Sequence, residues 1–338
     1  MIVVIGATGF VGSHLLCQLV QTNDKVRALY RNEESIKTTE HFLHYYNLSP
    51  TLFKERVEWI KADVLDIESL LLALSGARYV YNCSGYVSFD KRDKSQMIAV
   101  NVNGTSNIVN ACLLCKCTKL VHLSSIATIG DTNSTEPITE ENQWVRTSTE
   151  SWYSITKFNA ETEAWRGIAE GLPTLIFNPS IILGPGNWSS GSPKFFSTIN
   201  KGLKYYTKGT VGYVDVRDVC RVMIIGMNSI ISGEKYIISG SNQTYQTLFS
   251  TIAKAINKQS PQINATALML AFAWRIEKIR SRFFGKAPLI TKNSARTALK
   301  QSFYSSQKCV DTFGIEFKSF DETIEFTGNC FLKDTSTM

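Results

Sequence analysis

The apolar residues of this chain form short runs that alternate with amphipathic segments, from the first residues to about position 180. Short runs rich in Val, Ile and Leu are typical of strands buried on both faces, and an apolar repeat of three to four residues is typical of helices. The predicted strands are Ile2–Ile5, Lys25–Tyr30, Val57–Ala62, Arg78–Cys83, Leu120–Ser124 and Thr174–Asn178. The predicted helices are Ser13–Thr22, Ile67–Leu74, Ser95–Cys115 and Tyr153–Glu170.

This alternation predicts an α/β protein with a Rossmann-like, doubly wound parallel sheet covered by helices. Ligands of such sheets bind beyond the carboxyl ends of the strands. With 338 residues the chain is longer than one core usually needs. We therefore predict a nucleotide-binding domain at 1–183, to which 211–238 returns, and a smaller C-terminal mixed α/β substrate-binding cap at 184–210 and 239–334.

A glycine-rich turn joins the first predicted strand to the first helix, in the sequence MIVVIGATGFVGSHLL. Its spacing, Gly-x-x-Gly-x-x-Gly, allows a tight turn, close approach of a pyrophosphate to the backbone, and close packing of helix on strand. The helix N-terminus adds free N–H groups and a positive dipole end. The turn therefore predicts a dinucleotide cofactor, contacted by Gly6, Thr8, Gly9, Phe10, Val11 and Gly12.

The end of the second predicted strand bears on which dinucleotide binds. An NAD site places a carboxylate there for the ribose hydroxyls, whereas an NADP site presents arginine to the 2′-phosphate. The sequence KVRALYRN ends in Arg31 and holds no acid, so NADP(H) is favoured and NAD(H) is the alternative. Arg27 is a second candidate for the phosphate, and solvation of a loop is the alternative role of Arg31.

Further cofactor contacts are expected at the ends of the third and fourth strands. Asp63 and Val64 offer a carboxylate and backbone groups to the adenine. Cys83, Ser84 and Gly85 are small and let the backbone approach the cofactor ribose.

Tyr153 and Lys157 are four residues apart and so share one face of a helix. Tyrosine is a poor acid or base at neutral pH, but a fixed positive charge nearby stabilises the phenolate and lowers its pKa. Ser125, at the end of the fifth predicted strand, can donate a hydrogen bond to a carbonyl oxygen that becomes negative during hydride attack. These residues predict carbonyl reduction or the reverse oxidation.

The ordered motifs GATGFVG, KADV, NVNGT, LSSIATIG, YSITK and FNPSIILGPGN resemble the extended short-chain dehydrogenase/reductases across residues 1 to about 240. The segments VRALYR, ITEENQW and GKAPLIT are most similar to the branch of dihydroflavonol 4-reductase and 3β-hydroxysteroid dehydrogenase. The resemblance implies Ser125, Tyr153 and Lys157 as the catalytic set. It implies cofactor contacts at Asn101, Tyr153, Lys157, Asn178, Pro179 and Ser180, the last three around the nicotinamide amide, and homodimers are common in the superfamily.

The predicted function is an NADPH-dependent reductase of a ketone or aldehyde, similar to dihydroflavonol 4-reductase. A sugar-nucleotide epimerase or dehydratase is the alternative, although such enzymes usually carry Arg where this chain has Asn178 and His where it has Asn82. A non-catalytic NADP-sensing protein of the same fold is a second alternative, but such proteins tend to lose the tyrosine and lysine. Aromatic residues of the cap suggest an apolar or aromatic substrate, with core packing as the other explanation: Trp188, Phe195, Phe196, Tyr205, Tyr206, Trp274, Phe283 and Phe284.

Composition narrows the set of partners. The net charge is +7, but the basic residues are spread along the chain, which gives no nucleic-acid signature, and a polyanionic cofactor accounts for part of the charge. The apolar run 265–274 is too short to cross a bilayer, and the basic run 275–286 follows it. Together they predict either a helix over the substrate pocket or one lying on a membrane surface. The first apolar run has no basic region before it, so we predict no signal peptide and a cytoplasmic location.

The cysteine and histidine residues do not predict a metal site. The eight cysteines are scattered, and the cluster Cys112, Cys115 and Cys117 has only His122 as a nearby fourth ligand, at a spacing that zinc motifs do not use. Thiols that are buried or lie at a helix end are the preferred interpretation. His41 and His44, one helical turn apart in a mixed polar segment, are likewise read as ordinary surface or packing residues.

Overall fold

Parallel strands form the main sheet of the computed structural model, which describes residues 1–22, 25–130, 136–147, 150–284 and 291–336. The strands of the first half of the chain are β1 (Ile2–Ile5), β2 (Val26–Tyr30), β3 (Val57–Lys61), β4 (Tyr79–Asn82), β5 (Lys119–Leu123) and β6 (Thr174–Pro179). Its helices are α1 (Phe10–Gln21), α2 (Glu34–His41), α3 (Pro50–Arg56), α4 (Ile67–Leu74), α5 (Lys94–Met97), α6 (Gly104–Leu114) and α7 (Trp152–Ala169). Every predicted strand of this half is present within one residue or two of its expected ends.

The second half of the chain adds shorter strands and further helices. Its strands are β7 (Ile181–Leu183), β8 (Tyr205–Tyr206), β9 (Thr210–Asp215), β10 (Glu234–Ile238), β11 (Ser241–Thr244) and β12 (Ile263–Asn264). Its helices are α8 (Lys194–Asn200), α9 (Val216–Asn228), α10 (Tyr245–Ala255), α11 (Ala267–Phe284), α12 (Lys292–Thr297), α13 (Gln307–Phe313) and α14 (Phe320–Ser336).

The order of strands in the main sheet is β10-β6-β5-β4-β1-β2-β3, and all neighbours run parallel. The direction of winding reverses between β1 and β4, so the crevice at this switch point is the expected ligand site. Alternate residues of β1 face opposite layers: Val4 packs with α1 and α9, whereas Val3 and Ile5 pack with α4 and α6. The predicted Rossmann-like fold is confirmed.

The smaller region is built on the three-stranded sheet β11-β9-β7, in which β11 runs antiparallel to β9. Its core joins this sheet to α8, α10 and α14 through buried residues such as Phe196, Tyr213, Ile252 and Phe331. Of the segment 211–238, strand β10 lies in the main sheet beside β6, and helix α9 packs on α1. Strand β9 lies instead in the smaller sheet. The assignment of this region to substrate binding stays a prediction.

The helix predicted at Ser95–Cys115 is interrupted. A wider π-helical segment, Ile98–Asn103, separates α5 from α6. Asn101 lies in this segment, and its side chain bonds the backbone of Tyr86 and the hydroxyl of Thr156. Because π-helical turns are often found near functional sites, we expect a functional site near the loop after β4 and the start of α7.

Helix α11 contains the apolar run and the basic run discussed above. Leu270 and Trp274 pack toward Ala295 of α12, but Leu268, Phe272, Ile276 and Ile279 are 58–74% exposed. In the described part of the chain, no helix combines the length and the hydropathy that a membrane crossing requires. Both interpretations of this helix stay predictions. Most of GKAPLIT, and the side chains of Phe283 and Phe284, lie outside the described residues.

Candidate active site

The glycine turn between β1 and α1 brings three backbone segments into contact. Gly6 has a φ of +75°, and a Cβ on it would lie 2.7 Å from the backbone nitrogen of Ser84. A Cβ on Gly12 would lie 2.1 Å from the carbonyl oxygen of Gly6. Both positions therefore exclude any larger residue, because the obstructing atoms belong to the backbone. The turn thus has the close approach of β1, α1 and the β4 loop that a dinucleotide cradle needs.

Helix α1 begins at Phe10 with Gly9 as its N-cap, and no side chain of the described residues caps it. The N–H groups of its first turn are therefore available to an anion at the positive end of the dipole. Val11 and Gly12 are buried, and Thr8 is half-buried at the turn. The Phe10 ring lies against Gly186. A Cβ on Gly186 would be 3.0 Å from this ring. Its side chain thus contacts the loop after β7.

The two arginines of β2 lie in different surroundings. Arg27 donates to Glu58 at 3.0 Å and to the carbonyls of Ala73 and Ser75 at the end of α4. Arg31 directly follows the carboxyl end of β2, is exposed, and has no hydrogen bond or ion pair to the described parts of the chain. Of these two arginines, Arg31 alone lies at the carboxyl end of the strand without a partner among the described residues.

Asp63 and Val64 follow β3 at the same edge of the sheet. The Asp63 carboxylate accepts the N–H of Leu65 at 3.0 Å, so one of its oxygens shapes the turn. The Val64 carbonyl accepts Asn107 Nδ2 at 2.9 Å, and its side chain lies where a Cβ on Gly104 would be. These contacts fix the loop, and the expected contact with adenine stays a prediction.

The loop after β4 passes beside the glycine turn. The Cys83 N–H donates to the carbonyl of Ile5 at 2.9 Å. The Ser84 hydroxyl and N–H both donate to Asn82 Oδ1, at 2.6 and 3.0 Å. Gly85 is exposed, and a Cβ there would be 3.7 Å from Asn101 Oδ1. Asn101 itself is buried. Its side chain connects this loop, through Tyr86, to Thr156 of α7 and so fixes the position of the loop relative to that helix.

Tyr153 and Lys157 lie on α7, near its N-terminus, and Ser125 follows β5. The Ser125 hydroxyl lies within hydrogen-bonding reach of the Tyr153 phenol. Lys157 is buried, and its Nζ donates to the carbonyl of Leu123 at 2.9 Å. The structure thus brings together Ser125, Tyr153 and Lys157, the three residues that the sequence predicted to be catalytic.

The pKa of Tyr153 differs from the value that the sequence led us to expect. Burial raises the pKa of the Tyr153 phenol, and the hydrogen bond with Ser125 opposes the rise. The predicted shift of the Tyr153 pKa toward neutrality is therefore wrong, because desolvation of the phenol outweighs the stabilisation of the phenolate by the Lys157 charge. Burial also lowers the pKa of Lys157 to about 8, against the raising effect of Glu161 and Cys83.

Glu161 is a site residue that the sequence interpretation missed. It is buried, and its Oε2 accepts hydrogen bonds from Ser124 at 2.5 Å, Thr128 at 2.6 Å and Asn178 at 2.7 Å. The carboxylate therefore joins α7 to the ends of β5 and β6. Its position four residues after Lys157, on the same helix face, was the signal available in the sequence.

Asn178 and Pro179 end β6 and Ser180 follows it, and all three are buried. The Asn178 amide nitrogen bonds Glu161 and Thr128, whereas its Oδ1 has no partner among the described residues. The buried Ser180 hydroxyl likewise has none in the described part of the structure. Buried polar atoms rarely stay unpaired. Together with the glycine cradle, these atoms fit a polar ligand such as a nicotinamide dinucleotide.

Apolar side chains lie beside the tyrosine. The Phe89 ring is 57% exposed and has its centre 5.9 Å from that of Tyr153. Tyr86 and Val87 of the same loop are 36% and 62% exposed. On the other side of α7, Trp144 stacks on Phe158 at 4.2 Å and donates to the hydroxyl of Ser154. The ring of Tyr153 therefore lies beside an exposed apolar loop.

The aromatic residues expected in the cap have mixed roles. Phe196 is fully buried, and Trp188 packs on Phe196 and Phe331, so both belong to the core. Tyr205 is 46% exposed. Core packing therefore accounts for part of this set, as the alternative interpretation expected.

The buried thiols agree with the interpretation of the cysteine cluster. Cys112 and Cys117 are buried and hydrogen-bonded to each other, and this contact raises the pKa of Cys112. His122 is buried and receives a hydrogen bond from Asn82 at 3.0 Å. Burial, with the charge of Lys157, holds the pKa of His122 well below its usual value.

Known proteins share this architecture. Dihydroflavonol 4-reductase of Dianthus caryophyllus is 28% identical over 274 residues, which cover 77% of this chain and 74% of the relative. Cinnamoyl-CoA reductase 1 of Petunia hybrida is 26% identical over 329 residues, covering 94% and 87%. The solved structure of DesIV, a dTDP-glucose 4,6-dehydratase from Streptomyces venezuelae, matches with a TM-score of 0.77 at 18% identity, covering 99% of this chain and 98% of that one.

The model of the NAD dependent epimerase/dehydratase family matches residues 2–239, which include the glycine turn, Ser125, Tyr153, Lys157 and the end of β6. The resemblance to extended short-chain dehydrogenase/reductases that the motifs indicated is thereby confirmed. The chain belongs to the NAD dependent epimerase/dehydratase family.

Proposed function

We propose that this protein is an NADPH-dependent reductase that converts a ketone or aldehyde to an alcohol, with Tyr153 as the proton donor. The observation that carries the proposal is the pairing of the Ser125 and Tyr153 hydroxyls beside an exposed apolar loop, with Lys157 buried behind them. Family membership indicates an enzyme of oxidoreductase or epimerase type with a nicotinamide dinucleotide cofactor. The two relatives named as reductases support the reductive assignment.

The cofactor would be held at both ends of the crevice by residues of this chain. The backbone of Gly6, Gly9 and the first turn of α1 would bind the pyrophosphate. The unpaired polar atoms of Asn178 and Ser180 would bind the nicotinamide amide. When bound, the dinucleotide supplies the hydride that the carbonyl carbon receives.

The protein's own groups supply the proton and stabilise the charge. The Tyr153 hydroxyl donates its proton to the carbonyl oxygen, and the Ser125 hydroxyl donates a hydrogen bond to the same oxygen. Tyr153 is protonated at neutral pH, so it carries the proton to be donated, but its raised pKa makes the phenol a weaker acid and the transfer needs stabilisation of the phenolate. The charge of Lys157 stabilises the phenolate that remains after the transfer. The carbonyl thus gains one hydride and one proton.

The preference for NADP over NAD rests on Arg31. Its guanidinium is exposed at the carboxyl end of β2, where the 2′-phosphate of the adenosine ribose would lie. Arg27 is engaged with Glu58 and the end of α4, so it is a poor candidate for this phosphate.

The apolar loop supports a substrate with an apolar or aromatic group next to the carbonyl. Phe89, Val87 and Tyr86 would cover such a group while Tyr153 reaches the oxygen. Burial of this exposed apolar surface would favour binding of such substrates over sugars.

Sugar-nucleotide epimerisation or dehydration is the competing function, and the fold of the Streptomyces dehydratase supports it as an alternative. The test is NADPH oxidation with aromatic aldehydes, ketones, flavanonols and steroids, run beside calorimetric binding of UDP-glucose and dTDP-glucose. We expect turnover with an apolar carbonyl compound and weak or no binding of the sugar nucleotides. Tight sugar-nucleotide binding without carbonyl turnover would overturn the proposal.

A further inference from the structure

Two histidines and a carboxylate meet outside the candidate active site. His41, at the end of α2, and His44, in the short 3₁₀ helix Phe42–Tyr46, both direct Nε2 at Asp334 in the last turns of α14. The distances from Nε2 to the same oxygen, Asp334 Oδ1, are 3.3 Å for His41 and 3.1 Å for His44. The three ligand atoms lie within 4.8 Å of one another.

The hydrogen bonds around His44 leave a place for a cation. His44 Nδ1 bonds the backbone carbonyl of His41, which can only accept, so Nδ1 carries the hydrogen. In the neutral ring, Nε2 then presents a lone pair to a carboxylate oxygen. Two acceptors at 3.1 Å repel each other unless a proton or a metal ion lies between them.

The carboxylate is held rigidly for this role. The side chain of Asp334 is 4% exposed, and its other oxygen, Oδ2, accepts Tyr45 OH at 2.6 Å and Trp188 Nε1 at 2.8 Å. Carboxylates and imidazoles that bind metals are commonly oriented by such outer hydrogen bonds, including a bond from the second ring nitrogen to a backbone carbonyl. Both features are present here.

The distances also agree with metal coordination. Ligands about 2.0–2.1 Å from a tetrahedral Zn²⁺ ion are about 3.3 Å apart. The two nitrogen-to-oxygen distances, 3.3 and 3.1 Å, lie close to this value, and the two imidazole nitrogens lie within 4.8 Å of each other. Both rings line a surface cavity of about 350 Å³, through which an ion could reach their nitrogens, whereas the buried Asp334 is not part of its lining. Lys54 lines the same cavity and opposes a cation, but Glu40 lines it too and offsets that charge.

We propose that His41, His44 and Asp334 form a binding site for a divalent transition metal ion of the Zn²⁺ class, which fastens the end of α14 to the segment after α2. Imidazole nitrogens and a carboxylate suit Zn²⁺, Co²⁺ and Ni²⁺ better than Mg²⁺ or Ca²⁺. The site is independent of the reductase proposal, because it shares no residue with the catalytic group.

The test uses the full chain without a histidine tag, freed of metal by a chelator. Zn²⁺ titration by calorimetry is expected to show one equivalent bound, and Co²⁺ is expected to give visible bands without the near-ultraviolet bands of thiolate ligation. This spectrum separates the site from the eight cysteines. Zn²⁺ at a hundred times its Kd should raise the unfolding temperature by about 4 °C.

The matched variants are His41→Gln and His44→Gln, whose parent side chains are 55% and 40% exposed, so folding should survive. Each should weaken Zn²⁺ binding at least tenfold or so. Asp321→Asn, at an exposed acid of the same helix, should leave the affinity unchanged. The proposal would be overturned by absence of stoichiometric Zn²⁺ binding, by an affinity in both histidine variants equal to that of the parent protein, or by thiolate bands with Co²⁺.

Discussion

Glu161 accepts a hydrogen bond from Asn178 at 2.7 Å, and this bond joins α7, the helix of Tyr153, to the end of the neighbouring strand β6. The same carboxylate lies one helical turn after Lys157 and raises its pKa. It therefore links the end of β6, where we propose that the nicotinamide binds, to the charge of Lys157. We propose that Glu161 is a positioning residue that acts through Asn178 and Lys157.

Glu161→Gln should reduce kcat about tenfold with a smaller change in KM, because alignment of α7 with β6 is weakened while the substrate surface remains. It should also lower the pKa of Lys157 below about 8, since the carboxylate that raises it is gone. The measurement is the pH profile of kcat/KM. Glu163→Gln on the same helix, whose carboxylate pairs with Arg166, is the control. An unshifted profile would remove the electrostatic role.

Tyr153→Phe should lower kcat by about 10²–10⁴-fold, because the proton donor is lost. NADPH affinity, measured by fluorescence titration, should stay close to that of the parent protein, since the glycine turn and the end of β6 are untouched. A variant that keeps its turnover would show that the proton comes from another group.

Arg31→Ala should weaken NADPH binding about 10- to 100-fold and leave NADH binding unchanged, because only the 2′-phosphate loses its charged partner. The ratio of the two dissociation constants is the measurement. Arg296→Ala, at an exposed arginine of α12, is the matched control. An unchanged ratio in Arg31→Ala would refute the phosphate role.

The rate of carbonyl reduction should fall as the pH rises through about 8. Lys157 is charged below its lowered pKa of about 8 and neutral above it. Loss of the charge removes the stabilisation of the phenolate that proton transfer leaves, so kcat/KM for reduction should fall on the alkaline side. Measurement from about pH 6 to about pH 10 should show a flat region followed by this decline. A rate that rises through pH 8 would contradict the role given to Lys157.

Local patterns in the sequence determined the fold and most of the site. Strands with apolar residues at successive positions, such as Ile2–Ile5, and the helices between them are typical of a parallel sheet covered by helices. The glycine turn is equally local, since Gly6 and Gly12 lie six residues apart and meet within one turn. Tyr153 and Lys157 share a helix face by spacing alone. These features could be predicted because short stretches of chain specify them.

Tertiary packing decided the pKa shifts and the side-chain contacts that involve residues far apart in the chain. Burial set the direction of the Tyr153 pKa, which the spacing to Lys157 had predicted wrongly, because desolvation depends on every element packed around the phenol. The contact of Glu161 with Asn178 spans two elements. Asp334 reaches His44 across 290 positions. A sequence lists such groups without saying that they meet, and only the fold brings their charges within range of each other.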